Sequence, residues 1–368
     1  MPLDGSRIVD DSRMKQSLPT FRTLLDRGAA IVVVTHLGRP EGRVVEALRV
    51  GPLAAHLGQL LGMDVRVAPG VVGPEVEEVA RGLTQGQVMM LENVRFEPGE
   101  EANDPEFCAC LAGLADVYVN DAFGTAHRAH ASTVGVAHLL PAAAGLLMQR
   151  EVEVLSRVLT DPPPPLVAVI GGAKISTKIG VMENLLPRVS RLLVGGAMAC
   201  TLLKAAGAEV GSSKVEEDQL DIARRLLGEA GDKLMLPVDA VAAAAFAAAA
   251  ERRQVDSHQI PPGWMMLDIG PRTVEAFSEV VGAAGTVVWN GPLGVYEMEP
   301  FRAGTESVAR AVAASRAISV IGGGDLAAAI STLGLEDAIT HISTGGGATL
   351  EFLEGKELPG IKALEEDE

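Results

Sequence analysis

Short apolar runs alternate with longer amphipathic stretches through most of this chain. In the first half, Ala29–Val34, Val65–Val67, Val88–Leu91 and Val117–Val119 read as strands. Ala142–Leu159 then reads as a long helix. The run Asp161-Pro162-Pro163-Pro164-Pro165 closes it, because proline lacks an amide donor and restricts the residue before it. The second half restarts with Leu166–Ile170, Arg191–Val194, Leu234–Leu236, Thr286–Trp289, Ala317–Ile321 and His341–Ile342. Apolar strands separated by helices predict an α/β class, with parallel sheets covered on both faces. A chain of 368 residues is too long for one simple core, so two domains are expected. Their predicted spans are 1–141, a helix-and-proline connection 142–165, a second domain 166–345, and a carboxyl-terminal segment 346–368 returning to the first. The alanine-dominated Val241–Ala250 suits helix and packed turn equally.

The strand ends carry the chemistry. Ile31–Val34 runs into Thr35-His36-Leu37-Gly38-Arg39, Val88–Leu91 into Glu92-Asn93-Val94-Arg95, and Val117–Val119 into a stretch holding His127, Arg128 and His130. An open parallel sheet binds its ligands at the carboxyl ends of its strands. Basic residues delivered there, in a chain of formal net charge −17, predict a small anionic guest such as phosphate or carboxylate. Scattered surface arginines are the plainer reading of any one of these residues, and the recurrence argues against it. His127 and His130 are expected to orient the arginine-bearing loop.

In the second half, glycines follow the strands: Gly171-Gly172-Ala173-Lys174, Gly195-Gly196, Asn290-Gly291-Pro292, Gly322-Gly323-Gly324-Asp325 and Gly345-Gly346-Gly347. Glycine lets backbone approach a ligand closely, and amides at a helix start can hold phosphate. Each turn alone is unremarkable, but their shared position predicts a nucleotide site. Neither GxxxxGK[ST] nor GxGxxG with a later acidic partner occurs, which argues against P-loop and dinucleotide readings.

Composition narrows the partners. With 31 basic against 48 acidic residues, nucleic acid and anionic membrane are not expected as partners. The apolar windows Leu139–Leu147 and Val238–Ala250 fall short of a membrane span. Cys108, Cys110 and Cys200 are too scattered for a disulfide or zinc framework, which suits a reducing cytoplasm.

Taken in order, the motifs closely resemble the phosphoglycerate kinase family. The matching runs include Asp11-Ser12-Arg13, His36-Leu37-Gly38-Arg39-Pro40, Leu91-Glu92-Asn93-Val94-Arg95-Phe96, Asp116–Gly135, Gly171-Gly172-Ala173-Lys174 with Lys178, Trp289-Asn290-Gly291-Pro292, Gly322-Gly323-Gly324-Asp325 and His341–Gly347. The resemblance implies two Rossmann-like parallel-sheet domains separated by a hinged cleft, in a cytoplasmic monomer. It implies reversible phosphoryl transfer between 1,3-bisphosphoglycerate and ADP, giving 3-phosphoglycerate and ATP with Mg2+. Arg13, His36, Arg39, Arg95 and Arg128 match the substrate patch. Gly172, Lys174, Lys178, Gly195, Gly196, Asn290, Pro292, Val295, Glu297, Gly323, Gly324, Asp325 and Leu326 match the nucleotide side, with Asp325 toward the magnesium. Arg13 and Lys174 are the expected catalytic residues.

Two departures from the family pattern stand out. The family's opening strand, with its Arg-x-Asp-Phe-Asn pattern, is expected to be missing ahead of Met1-Pro2-Leu3-Asp4-Gly5, leaving the activity of the chain in question. A start codon assigned too late is the expected cause. Leu326 also stands where relatives carry Ser or Thr, removing a hydroxyl while leaving the amide. A catalytically defective nucleotide- or phosphate-binding protein with a regulatory or structural role is the alternative these departures support.

Overall fold

The computed structural model describes residues 3–4 and 7–365, so most of the stretch Met1–Gly5 lies outside the described residues. The chain divides into two compact units, Met1–Val152 with Glu357–Glu368, and Glu153–Lys356.

In the first unit, Val88–Met90 is the central strand of a parallel sheet, flanked by Ile31–Val33 and Val65–Val67. Side chains alternate across a strand, and this one serves a cluster on each face. Met89 joins Leu91, Phe107 and Leu111, whereas Val88 and Met90 join Ile31, Leu53 and Leu57. Helix Gly51–Leu61 packs over the second cluster; it carries Pro52 in its first turn and is capped by Gly62, whose φ of 72° suits a left-handed cap.

A second parallel pair joins Tyr118–Asn120 to Ala142–Ala144. The helix predicted from Ala142 therefore begins later, at Leu146–Thr160. The cause is Asp121, whose Oδ1 accepts the Leu147 and Met148 amides at 2.9 and 3.2 Å and so fixes the first helical turn. Gly145 makes the approach possible, since a Cβ there would lie 2.2 Å from that oxygen.

In the second unit the candidate strands form a single six-stranded parallel sheet. Its order is Leu234–Met235, Arg191–Val194, Leu166–Ile170, Thr286–Asn290, Ile318–Gly322, His341–Ile342. The two central strands, Leu166–Ile170 and Thr286–Asn290, are buried along their whole length, which explains their unbroken sequence runs. Strand order reverses between them, so the loops at their carboxyl ends flank a topological switch point, where such sheets bind ligands.

A three-stranded antiparallel sheet was not anticipated. Asp239–Ala243 lies between Arg252–Asp256 and Met265–Ile269. Alanine hides the first of these strands, and the polar edge strand Arg252–Asp256 carries no apolar alternation. Residues 244–249 form an exposed loop between them. Among the described residues no helix is long and apolar enough to cross a membrane.

Candidate functional site

In the first unit the carboxyl ends of Ile31–Val33 and Val88–Met90 are bound together by Asn93, which is fully buried. Its Oδ1 accepts the Leu37 and Arg95 amides, each at 3.2 Å. Its Nδ2 donates to the carbonyls of Leu37 and Leu48 at 2.7 and 2.9 Å. Beside it, Glu92 takes the Val50 and Asn93 amides on one oxygen and Arg49 on the other. One side chain thus sets the loop bearing His36 and Arg39 against the turn bearing Arg95.

Arg95 is 4% exposed, and its Nη1 donates to the Gly38 carbonyl at 2.9 Å. Its Nε forms an ion pair with the Glu101 carboxylate at 3.2 Å without a hydrogen bond. Nε and Nη2 therefore lack hydrogen-bond acceptors among the described residues. Burial lowers the Arg95 pKa, partly offset by Glu101, and Arg128 and Arg39 press in the same direction as burial. His36 feels the same field: burial first, then Arg95 and Arg128, push its pKa down to about 3. It is neutral at pH 7, and three of the predicted binders (His36, Arg95, Arg128) share one electrostatic neighbourhood, with Arg39 close enough to act on Arg95.

Arg128 donates through Nε to His127 Nε2 at 3.2 Å, so His127 orients it directly. The backbone after it makes a π-helical turn, Ala131–Gly135. Buried Glu100 fastens that turn, accepting the Ser132 amide at 2.9 Å and its hydroxyl at 2.6 Å, with His130 at 3.6 Å. Burial alone would raise the Glu100 pKa, but the bonds from His130 and Ser132 outweigh it and keep the carboxylate ionised. Arg13 occupies the first turn of helix Ser12–Asp26 and is exposed. Glu92, Asn93 and Glu100 were not picked out from sequence. For the first two, the signal was their place between strand and arginine; for Glu100 there was none.

In the second unit three loops meet backbone to backbone at the switch point. Gly171 N–H donates to Asn290 O at 2.9 Å, Gly196 N–H to Leu293 O at 2.9 Å, and Met198 N–H to Gly172 O at 3.1 Å. A Cβ on Gly171 would sit 2.1 Å from Pro292 O, and one on Gly196 2.6 Å from Gly172 O, so glycine is required at both. Gly195 packs on Leu293, and Gly323, at φ 97°, leads into helix Gly324–Thr332.

Lys178 is 9% exposed and donates to Asn290 Oδ1. Burial drives its pKa down to about 8 against the opposing pull of Glu354 and Asp325. Asn290 Nδ2 is buried without an acceptor among the described residues. Lys174 is exposed at the start of the short helix Ile175–Thr177. Val295 N–H donates to Leu267 O at 2.8 Å, its side chain packing beside Ala243, Leu267 and Phe301, while Glu297 is exposed. Leu326, in the first turn of helix Gly324–Thr332, is 0% exposed, its side chain inside the core.

A magnesium ion would find one carboxylate here. Asp325 is exposed in the first turn of its helix, and no group of three or more potential ligands occurs among the described residues. That fits a metal carried chiefly by nucleotide phosphates and does not fit a protein cage.

The model of the phosphoglycerate kinase family matches residues 1–356. Phosphoglycerate kinase of Moorella thermoacetica is 54% identical over 369 residues, which is 100% of this chain and 94% of the relative. That of Thermomicrobium roseum is 55% identical over 370 residues, with the same coverage of 100% and 94%. The solved phosphoglycerate kinase of Coxiella burnetii superposes with a TM-score of 0.88 at 42% identity, covering 100% of this chain and 94% of that one. That of Pyrococcus horikoshii gives 0.88 at 36% identity, with coverage of 99% and 93%. The family match starts at residue 1 and the relatives align along the whole chain, which overturns the expectation of a match lacking its amino-terminal strand. The doubt about activity and the case for a defective relative lose that support. The chain belongs to the phosphoglycerate kinase family.

Proposed function

We infer that the chain catalyses reversible phosphoryl transfer from 1,3-bisphosphoglycerate to ADP, giving 3-phosphoglycerate and ATP. The observation that carries this reading is Arg95, a guanidinium 4% exposed whose Nε and Nη2 have no hydrogen-bond acceptor among the described residues. A buried unsatisfied polar group costs about 1–3 kcal/mol, and a phosphate or carboxylate guest would remove that cost. We assign Arg13, His36, Arg39, Arg95 and Arg128 to the glycerate substrate. The nucleotide goes to Gly172, Lys174, Lys178, Gly195, Gly196, Asn290, Pro292, Val295, Glu297, Gly323, Gly324, Asp325 and the Leu326 amide. Support for the second assignment is the meeting of three glycine loops at a switch point.

Both nucleophiles, a carboxylate and a diphosphate oxygen, are already ionised, so no general base is needed. The protein's task is alignment and neutralisation of the transferring oxygens. We assign this to Arg13 and Lys174, one on each substrate's side, and neutral His36 offers a hydrogen bond without adding charge. Magnesium, held through Asp325, would offset charge on the nucleotide phosphates. The hinged cleft between domains 1–141 and 166–345, the connection 142–165 and the returning segment 346–368 belong to the same proposal, as does a cytoplasmic monomer. Water excluded from the reacting groups would protect the acyl phosphate.

A coupled assay with ADP, 1,3-bisphosphoglycerate and Mg2+ tests the reading. Turnover that saturates in both substrates is the expected result, and its absence in folded protein would overturn it.

A further inference from the structure

Lys174 must hold its ammonium group at one point in space, yet it is exposed just ahead of a helix of only three residues, Ile175–Thr177. Two fasteners of that helix are internal. Ile175 is 0% exposed in the core, and the Thr177 hydroxyl donates to the Lys174 carbonyl at 3.0 Å. A third comes from a distant part of the chain. Glu216 accepts the Ser176 hydroxyl at 2.6 Å on one carboxylate oxygen and the Ser176 amide at 3.2 Å on the other. Glu216 is itself anchored, its amide donating at 3.1 Å to Thr201 Oγ1, and Thr201 is 1% exposed on helix Met198–Ala205. That helix begins directly after Gly195-Gly196.

We propose that Glu216 is a positioning residue for phosphoryl transfer: its two-oxygen grip on Ser176 locks the Lys174 turn to the helix that follows Gly195-Gly196. The inference rests on the assignment of Lys174 to the transferring phosphate. A carboxylate beside a phosphate site opposes anion binding through its charge. Its retention here is explained by geometry, because each oxygen meets a different donor of the same residue. Removing the grip leaves both lysines in the sequence but frees the turn, so the reacting geometry suffers more than ground-state binding.

The test compares Glu216→Ala, Glu216→Gln, Ser176→Ala, the Glu216→Ala/Ser176→Ala double variant and Lys174→Ala by steady-state kinetics and thermal unfolding. Glu216→Ala should lower kcat about tenfold, with KM for ADP and for 1,3-bisphosphoglycerate within twofold and the midpoint of unfolding unchanged. Glu216→Gln, which can still accept from the amide, should recover most of the loss, and the double variant should be no worse than Glu216→Ala. A Glu216→Ala kcat within twofold of the parent, when Lys174→Ala is severely impaired, would sink the clasp while sparing the role of Lys174. Full activity in Lys174→Ala would sink the underlying assignment. A kcat loss matched by a large fall in the unfolding midpoint, or additive losses in the double variant, would also overturn the proposal.

Discussion

The Nη1 of Arg95 donates to the carbonyl of Gly38 at 2.9 Å, tying a buried cation to the residue just before Arg39. Two strand ends far apart in sequence are thereby presented as one surface, with Asn93 holding both from beneath. Arg39 is exposed beside this surface, and the proposed assignment gives it the part of reaching the guest and not of bracing the loop.

Arg39→Ala should therefore weaken 3-phosphoglycerate while leaving the fold intact. A lost hydrogen bond to a charged group is worth about 1.5–3 kcal/mol, which is on the order of tenfold to a hundredfold in affinity. Titration calorimetry with 3-phosphoglycerate and, separately, with ADP makes the comparison. ADP affinity should stay within twofold, and equal losses for both ligands would contradict the division of substrates between the two units.

Lys174→Ala should depress turnover far more than nucleotide affinity. The side chain is exposed at the head of its short helix, and the proposed role is to meet developing charge on the transferring group. Removing one preorganised donor of this kind costs about 3–4 kcal/mol in the transition state, roughly a hundredfold to a thousandfold in rate. Single-turnover rates alongside ADP titrations would separate the two effects. A rate within threefold of the parent would reduce Lys174 to a ground-state charge.

The legible part of the molecule was the part written in unbroken apolar runs and in glycine. Leu166–Ile170 and Thr286–Asn290 are central strands buried on both faces, and such strands announce themselves. Gly171 and Gly196 were visible because no side chain fits where they sit. Asp239–Ala243 was hidden by alanine, whose helical preference was overridden by pairing on both sides. Ala142–Ala144 was misread as helix because it too is all alanine, and its pairing with the single strand Tyr118–Asn120 leaves no local signature. The supporting polar residues, Glu100 and Glu216 above all, act across 32 and 40 residues of sequence and leave no local pattern.

Leu326 offers a clean test of amide against side chain. It is 0% exposed and packs with the core of the second unit, including Val320's neighbour Ile321, and with Ile330 and Trp289. Leu326→Ala should destabilise the protein by about 2–5 kcal/mol, the usual range for such a cavity. Denaturant unfolding would read this. Magnesium–ADP affinity, measured well below the unfolding midpoint, should remain within twofold because the amide is retained. A large affinity loss without a stability change would place the side chain, not the amide, at the nucleotide.

Asp268 carries the clearest pH dependence. It is 1% exposed, accepts the Ile269 and Gly304 amides at 2.9 and 2.8 Å, and lies against Gly294, where a Cβ would be 2.2 Å from its Oδ1. Burial is the main cause that pushes its pKa from 3.8 up to about 7; the two amides oppose the shift, and Glu306 adds to it. A folded pKa above the unfolded value means that the neutral acid favours the native state. The associated stability is fully present below pH 4, is lost progressively as pH rises, and is gone above about pH 7. One pKa unit corresponds to about 1.4 kcal/mol, so the loss across this window is on the order of a few kcal/mol. Asp268→Asn replaces the carboxyl with a group that cannot ionise but can still accept the Gly304 amide. Its stability, followed by denaturant unfolding from pH 5 to 8.5, should fall less steeply than that of the parent, with the variant gaining most at the alkaline end. Parallel curves for the two proteins would show that Asp268 does not titrate in this range and that the buried carboxylate is held ionised by its two amides.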